Sequence, residues 1–416
     1  MESDIQTRPL LSKRSFILFT IAVFATGAVN GFADNLKGTA LPRIQEEFLL
    51  TELHLGLLLA LNATGYVAAC SFTAALARKI GMRTCLYAGL VVIFISGVCI
   101  CYSPDYTMLL VGFFVLNIGF GMLDISVGVL AAEVFTKRTG TMLNLMHFFY
   151  GVGATLSPII STSLMVVRFG DSVFGWRYAY LIILSFALIP LIPAMIGRLV
   201  TFANKDRTTG YAVLLRKPIL WILTPMIALS LVGELGSAAW LVNYLETTYS
   251  FTSERAALYL TLYYACFTAG RLLLGPVIDK TGLINSLSIL LAFSAAMIMT
   301  GVILGEPATP LLYIAGFTIG PLYPTSMAII AKLFKDTVDL AMTAIFTTLG
   351  IILVPANFII GGIINGARLI LADSHGAAGV GMAYSVGYLF IGSCCAGAFL
   401  FALTLRRMQK KAGQLV

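Results

Sequence analysis

The sequence predicts an all-α polytopic membrane protein with twelve transmembrane helices arranged as two six-helix bundles. Three observations carry that expectation. The 416 residues are 59% hydrophobic and only 11% charged, too apolar for a water-soluble chain of this size. The apolar residues gather in stretches such as 86–101, 108–134 and 287–304. Stretches of this kind are long enough, or nearly so, to cross a hydrocarbon core of about 30 Å, which takes about 20 helical residues. A polar stretch, 201–217, lies between the sixth and seventh spans and divides the chain evenly. Because a backbone in lipid must satisfy its own hydrogen bonds, the spans are read as helices.

In order, the spans fall at 15–42, 53–78, 83–102, 107–135, 141–167, 175–198, 218–248, 255–279, 283–304, 308–333, 339–369 and 380–405. The organisation is then an N-terminal tail 1–14, a first bundle 15–198, a linker 199–217, a second bundle 218–405 and a C-terminal tail 406–416. The first fourteen residues are polar and no small-residue cleavage site follows, so the first span reads as a retained helix.

The net charge of +8 raises nucleic acid as a partner. Its distribution argues for topology instead. Of 27 Lys and Arg, 20 lie at one set of span ends and 6 at the other, with Arg271 inside a span. By the positive-inside rule the rich side, which includes both tails, is cytoplasmic. The seven cysteines sit in spans or at their ends and lack metal-ligand spacing. No metal site and no cofactor are expected. Nothing resembles a phosphate-binding loop, a nucleophile with an oxyanion hole or a paired-carboxylate hydrolase site, so the chain does not read as an enzyme.

The two halves echo each other. Gly270-Arg271 through Gly275, Asp279, Lys280 and Gly282 close the eighth span, and Ala74, Arg78, Lys79, Gly81 and Arg83 close the second. Each places small residues on a helix face, then basic residues, then a glycine that starts the turn. Parallel six-helix repeats around a central cavity are a known transporter architecture.

Gly275…Asp279-Lys280-Thr281-Gly282 matches G-x-x-x-D-[RK]-x-G and resembles the signature loop of the major facilitator superfamily. In that family the loop forms a cytoplasmic latch between bundles. The resemblance implies a gate involving Gly275, Asp279, Lys280, Arg78 and Arg83. The first-half copy departs from the pattern, with Arg78 at the aspartate position and Ala74 at the leading glycine, and Glu133 is a candidate partner for Arg78. A closer resemblance is to the fucose:proton symporter family. It is carried by Asn35 to Phe48, by Gly119, Gly121 and Asp124 followed by Asn144, His147, Tyr150 and Gly153, and by Gly233-Glu234, Trp240, Asn243-Tyr244, Gly270-Arg271 and Gly320 to Pro324. Members of that family import hexoses or deoxyhexoses with a proton.

Charges deep in a span are costly and tend to mark pathways or pairs. The ionisable groups inside the spans are Asp34, Lys37, Asp124, His147, Glu234 and Arg271. Asp124 occupies the position at which the resembled family carries its proton-coupling glutamate, and desolvation of a lone carboxyl suits it to take and release a proton. Asp34 is a second coupling candidate, although Lys37 lies three residues on and the two face each other as a structural pair. The family's own acid in this motif aligns with Gly38. His147, Tyr150 and Asn144, one helix turn apart, are candidate substrate contacts, as are Glu234, Trp240, Asn243 and Tyr244. Carboxylates and amides bond sugar hydroxyls, and aromatic faces cover the apolar side of a pyranose ring. Arg271 is a candidate structural partner of Glu234.

The expected function is a proton-coupled symporter that imports a small neutral sugar, with the proton gradient as driving force. The expected setting is a bacterial inner (plasma) membrane, as a monomer. The alternatives are a transporter of other small molecules, such as drugs or organic anions, and a membrane sensor that binds ligand without turnover.

Overall fold

The computed structural model describes residues 12–134, 139–170, 172–197, 217–334 and 338–411. Most of the polar linker and the outermost tail residues 1–11 and 412–416, with Lys137, Arg138 and Lys335, lie outside the described residues, as do the side chains of Arg78, Glu133 and Asn144. Eleven helices are long and apolar enough to cross a membrane, or twelve when the bent pair Ser253–Leu273 and Gly275–Thr281 is taken as one span. The protein is a multi-pass integral membrane protein. Among the described residues a short hairpin departs from the helical pattern, Arg168–Phe169 against Ser172–Val173, in the loop before the sixth span.

Breaks within spans follow from proline. A proline has no N–H and its ring crowds the carbonyl four residues earlier. Pro190 acts on Phe186, and the sixth span breaks there into Gly175–Ser185 and Leu188–Ile196. Pro321 and Pro324 split the tenth span into Pro310–Ile319 and Leu322–Leu333. The eighth span bends by 50° at Leu274, before Pro276. Pro158, Pro225 and Pro355 stand inside continuous helices.

The sequence repeat reappears as geometry. Gly81 ends the second span with φ 85° and ψ 146°, and Gly282 ends the eighth with φ 86° and ψ 145°. That backbone conformation favours glycine. Within the first bundle, the first span (Lys13–Glu47) packs on the fifth (Thr139–Met165) and the second (Glu52–Ile80) on the fourth (Tyr106–Val134). Gly31 and Gly153 make the first of these contacts close, since a Cβ on either would overlap a backbone carbonyl of the facing helix, Tyr150 or Ala28.

The halves meet where a two-fold relation between repeats would bring them together. The second span packs on the eleventh (Val338–His375), and the fifth on the eighth. With twelve crossings both termini lie at one end, termed proximal; the opposite end is distal.

Candidate functional site

The distal end is shut by polar contacts that cross between the halves. Arg43, near the end of the first span, reaches Glu246 on the seventh (Leu220–Tyr249) at 2.5 Å and the Ser253 hydroxyl on the eighth at 2.8 Å. Glu52, at the start of the second span, accepts from Arg368 Nη1 at 2.8 and 3.1 Å. Gln45 adds to the Glu52 pair and crosses to the second half: its amide donates to Glu52 at 3.2 Å and accepts from Asn243 at 2.8 Å and Tyr384 at 3.4 Å. Gly56 and Gly361 let the second and eleventh spans touch backbone to backbone just below.

Asp124 and His147, by contrast, are exposed at mid-span although they face the bundle interior. Asp124 Oδ2 accepts from the Tyr66 hydroxyl at 2.8 Å and Oδ1 from Asn30 Nδ2 at 3.3 Å, so the second and first spans hold it. Tyr323 of the tenth span lies within electrostatic reach of Asp124, Glu234 and Arg271, and His147 lies within reach of Arg271. These groups therefore surround one space between the halves. Closed distally and exposed at mid-depth, that space opens toward the proximal end.

Two ion pairs flank the space. Lys37 Nζ donates to Asp34 Oδ1 at 2.6 Å, and Asp34 Oδ2 accepts from Tyr150 at 3.0 Å. Tyr150 in turn accepts from Asn35 at 3.3 Å. On the other side Arg271 Nη2 stands 3.9 Å from Glu234 Oε1. The guanidinium is placed by Phe267, whose ring centre lies 4.2 Å below it, and by Nε donating to the Gly320 carbonyl at 2.9 Å. That carbonyl is free to accept because Pro324, four residues on, has no N–H to give it. The kink in the tenth span thus positions the arginine of the eighth.

Of the residues singled out in the sequence, Asp34, Asp124, His147, Tyr150, Glu234 and Arg271 come together here. Three do not line the open space. Trp240 is fully buried, its ring 6.4 Å from that of Tyr384. Asn243 is 2% exposed and belongs to the distal closure. Tyr244 is fully buried, stacked on Tyr388 at 4.5 Å with its hydroxyl 3.1 Å from that of Tyr249, so its polar end is turned into the second bundle.

At the proximal end Arg83 links two spans of the first half. It bonds Tyr87 at 2.5 Å and the Met195 carbonyl at 3.3 Å, tying the third span (Met82–Cys101) to the sixth. Asp279 and Lys280 are exposed, and Gly275 has open space where a Cβ would point.

Several residues of the site escaped the sequence reading. Tyr66 and Asn30 carry no charge and lie outside the motifs that resemble the symporter family, so nothing in the sequence sets them apart. Arg43, Glu52, Glu246 and Arg368 are charges at span ends, where topology alone accounts for them. Among the described residues no group of His, Cys, Asp and Glu could hold a metal ion.

Comparison with known proteins places the chain. A bacterial homologue of the human lysosomal transporter Spinster, solved in an inward-facing, unoccupied conformation, superposes with a TM-score of 0.79 at 13% identity, covering 95% of this chain and 98% of that one. The E. coli fucose:proton symporter gives a TM-score of 0.62 at 18% identity, covering 94% and 99%. Bypass of stop codon protein 6 of Saccharomyces cerevisiae is 24% identical over 307 residues, 67% of this chain; the chain thus spans 59% of the length of that curated relative. The family model of the Major Facilitator Superfamily matches residues 23–356. The chain belongs to the Major Facilitator Superfamily.

Proposed function

We propose that the protein is a proton-coupled symporter that carries a small neutral sugar, a hexose or deoxyhexose, by alternating access. The observation that carries this reading is the isolation of Asp124. Asp34 has Lys37, Glu234 has Arg271, Glu52 has Arg368 and Glu246 has Arg43. Asp34, Glu234 and Asp124 are the acids near the open space, and of these three Asp124 has no ion pair and is held by neutral donors alone. A carboxylate held by two neutral donors and no counter-charge in a membrane interior is suited to bind a proton and to lose it when wetted. Around it, carboxylate, amide, phenol and guanidinium groups offer the mixed donors and acceptors that a polyol requires. The sequence likeness to fucose:proton symporters favours the same class. The proximal end carries the excess of Lys and Arg, which supports an orientation with both termini cytoplasmic.

The test is uptake of labelled hexoses into proteoliposomes under an imposed inward proton gradient, followed by counterflow exchange. Asp124→Asn resembles the protonated acid, so it should abolish uphill accumulation and retain counterflow. Gradient-driven accumulation by that variant at the wild-type level would remove Asp124 from coupling. No gradient-dependent flux of any ligand would favour a sensor. One feature supports a second substrate class: Arg271 meets its carboxylate only at 3.9 Å, which leaves donors free for an organic anion. A pH gradient that drives monocarboxylates but no sugar would establish that reading instead.

A further inference from the structure

Asn30, on the first span, is 8% exposed, yet its amide uses only half of its bonding capacity. Nδ2 donates to Asp124 Oδ1 at 3.3 Å, while Oδ1 is buried and has no hydrogen-bond partner among the described residues. A buried acceptor left in this way is costly. It stands beside a group whose needs reverse when it takes a proton. Ionised, Asp124 accepts at both oxygens, from Asn30 and from the Tyr66 hydroxyl at 2.8 Å. Protonated, it carries an O–H that must donate.

We propose that Asn30 is the positioning residue for the coupling proton: its amide nitrogen holds the ionised carboxylate, and its amide oxygen accepts the O–H of the protonated acid. This role rests on the reading of Asp124 as the coupling acid and supplies the acceptor that reading needs. A half-turn about the Cβ–Cγ bond exchanges the two ends of an amide. For Asn30 that turn gives up the bond to Asp124 Oδ1 and no other side-chain bond among the described residues. The proton comes from water in the open space and adds to Asp124 Oδ1. An N–H···O bond is exchanged for an O–H···O bond, Asn30 stays neutral, and Tyr66 goes on donating to Oδ2.

The other groups facing Asp124 suit the role less well. Asp34, on the first span, is engaged by Lys37 and Tyr150. On the second span Tyr66 is committed to Oδ2, and the Cys70 thiol one turn on is a weak acceptor. Tyr323 comes from the tenth span, in the other half, and so parts from Asp124 when the halves rock. Asn30, Tyr66 and Asp124 all belong to the first half, so their bonds travel together. A lysine in place of Asn30 would only donate and would penalise the acid; a second carboxylate would penalise the ionised form by repulsion. An amide serves both states, and an acid whose O–H is already bonded loses nothing when water leaves the space.

The test is infrared difference spectroscopy between alkaline and acid pH on the purified protein in lipid. Asparagine carries a carbon-13 label at Cγ, which separates its side-chain carbonyl from the backbone. Acid should raise a carboxylic-acid band that Asp124→Asn removes, together with a downshift of one labelled amide carbonyl, the mark of an oxygen that gains a donor. The downshift should vanish in Asn30→Leu and in Asp124→Asn and survive in Tyr66→Phe. Asn30→Ser, which keeps a donor and an acceptor, should lose the amide signal and retain the acid band. No downshift in the wild type, or one that persists in Asp124→Asn, overturns the role of Asn30. Absence of any Asp124-dependent acid band overturns the coupling reading and this role with it. In proteoliposomes Asn30→Leu should lower the ratio of gradient-driven accumulation to counterflow of L-fucose about 5-fold or more, as loss of one buried hydrogen bond implies. An equal fall in both activities would leave Asn30 a packing residue. A wild type that moves neither L-fucose nor D-glucose but shows the amide signal discards the sugar and keeps Asn30.

Discussion

Replacing Glu52 with Gln should tilt the protein toward opening at the distal end. The side chain is 2% exposed and accepts two bonds from Arg368, at 2.8 and 3.1 Å, one from Gln45 and one from Tyr384. Removing one partner of a fully buried ion pair costs about 3–5 kcal/mol. Here the Arg368 side chain is 41% exposed and keeps access to water when its partner is neutralised, so the loss is discounted to about 1–2 kcal/mol. Since the pair exists only while the distal end is closed, the closed-to-open ratio should fall by a factor of about 5–30. Spin labels at Tyr102 and Leu304, exposed distal positions on opposite halves, would read this as a longer-distance population in pulsed dipolar spectra. Glu46→Gln is the control. Glu46 is 76% exposed and meets Arg43 at 3.4 Å, and exposed pairs contribute little, so its distances should match the wild type. An unchanged distribution in Glu52→Gln, with the variant folded and inserted, would refute the assignment of this pair to the gate.

Two further substitutions test separate parts of the molecule. Arg177 bonds Glu47 at 2.7 Å and the Ser103 carbonyl at 2.7 Å while stacking on Trp176 at 4.6 Å. Lysine cannot reproduce that fork, so Arg177→Lys should lower stability by about 1–3 kcal/mol, read as a reduced melting temperature in detergent, with hexose affinity unchanged. Asp279→Asn should slow transport in proteoliposomes if the proximal loop acts as a latch, and wild-type rates at equal expression would leave Asp279 an ordinary surface charge.

The fold was legible because its causes are local. Span length follows from apolar run length, and the breaks in the sixth and tenth spans follow from Pro190, Pro321 and Pro324. The paired turns follow from Gly81 and Gly282, which share one backbone conformation. The site was legible only in part. An acid within a span announces itself by its cost, which is why Asp34, Asp124 and Glu234 stood out. Their partners did not, since Tyr66 and Asn30 are ordinary residues until the fold aims them at Asp124. Aromatic faces suited to a pyranose ring made Trp240 and Tyr244 candidates, but Tyr384 and Tyr388 draw both rings into the second bundle. The distal pairs were the least accessible of all. Arg43 and Glu246 are 203 residues apart and Glu52 and Arg368 are 316 apart, and each sits where a charge needs no further explanation.

Those distal charges have a second property that bears on how the gate opens. The two ion pairs are crossed: the first half contributes one cation and one acid, and so does the second. Parting the halves therefore leaves neither face with a net charge from these residues, and no long-range repulsion or attraction biases the step. The first-half members also have partners of their own. Arg43 already contacts Glu46 on its own helix end at 3.4 Å, and Glu52 already accepts from Gln45 at 3.2 Å. When the cross-half bonds break, these contacts remain, and water can supply the rest. An ion pair with no such substitute would hold the distal end shut by the full cost of a bare buried charge. With substitutes in place the closed state is favoured by only a few bonds, a margin that a bound substrate could overcome by modest differential affinity for the open form. A gate that must open in every cycle needs that small margin, and the arrangement of Arg43, Gln45, Glu46 and Glu52 within about three turns of chain provides it.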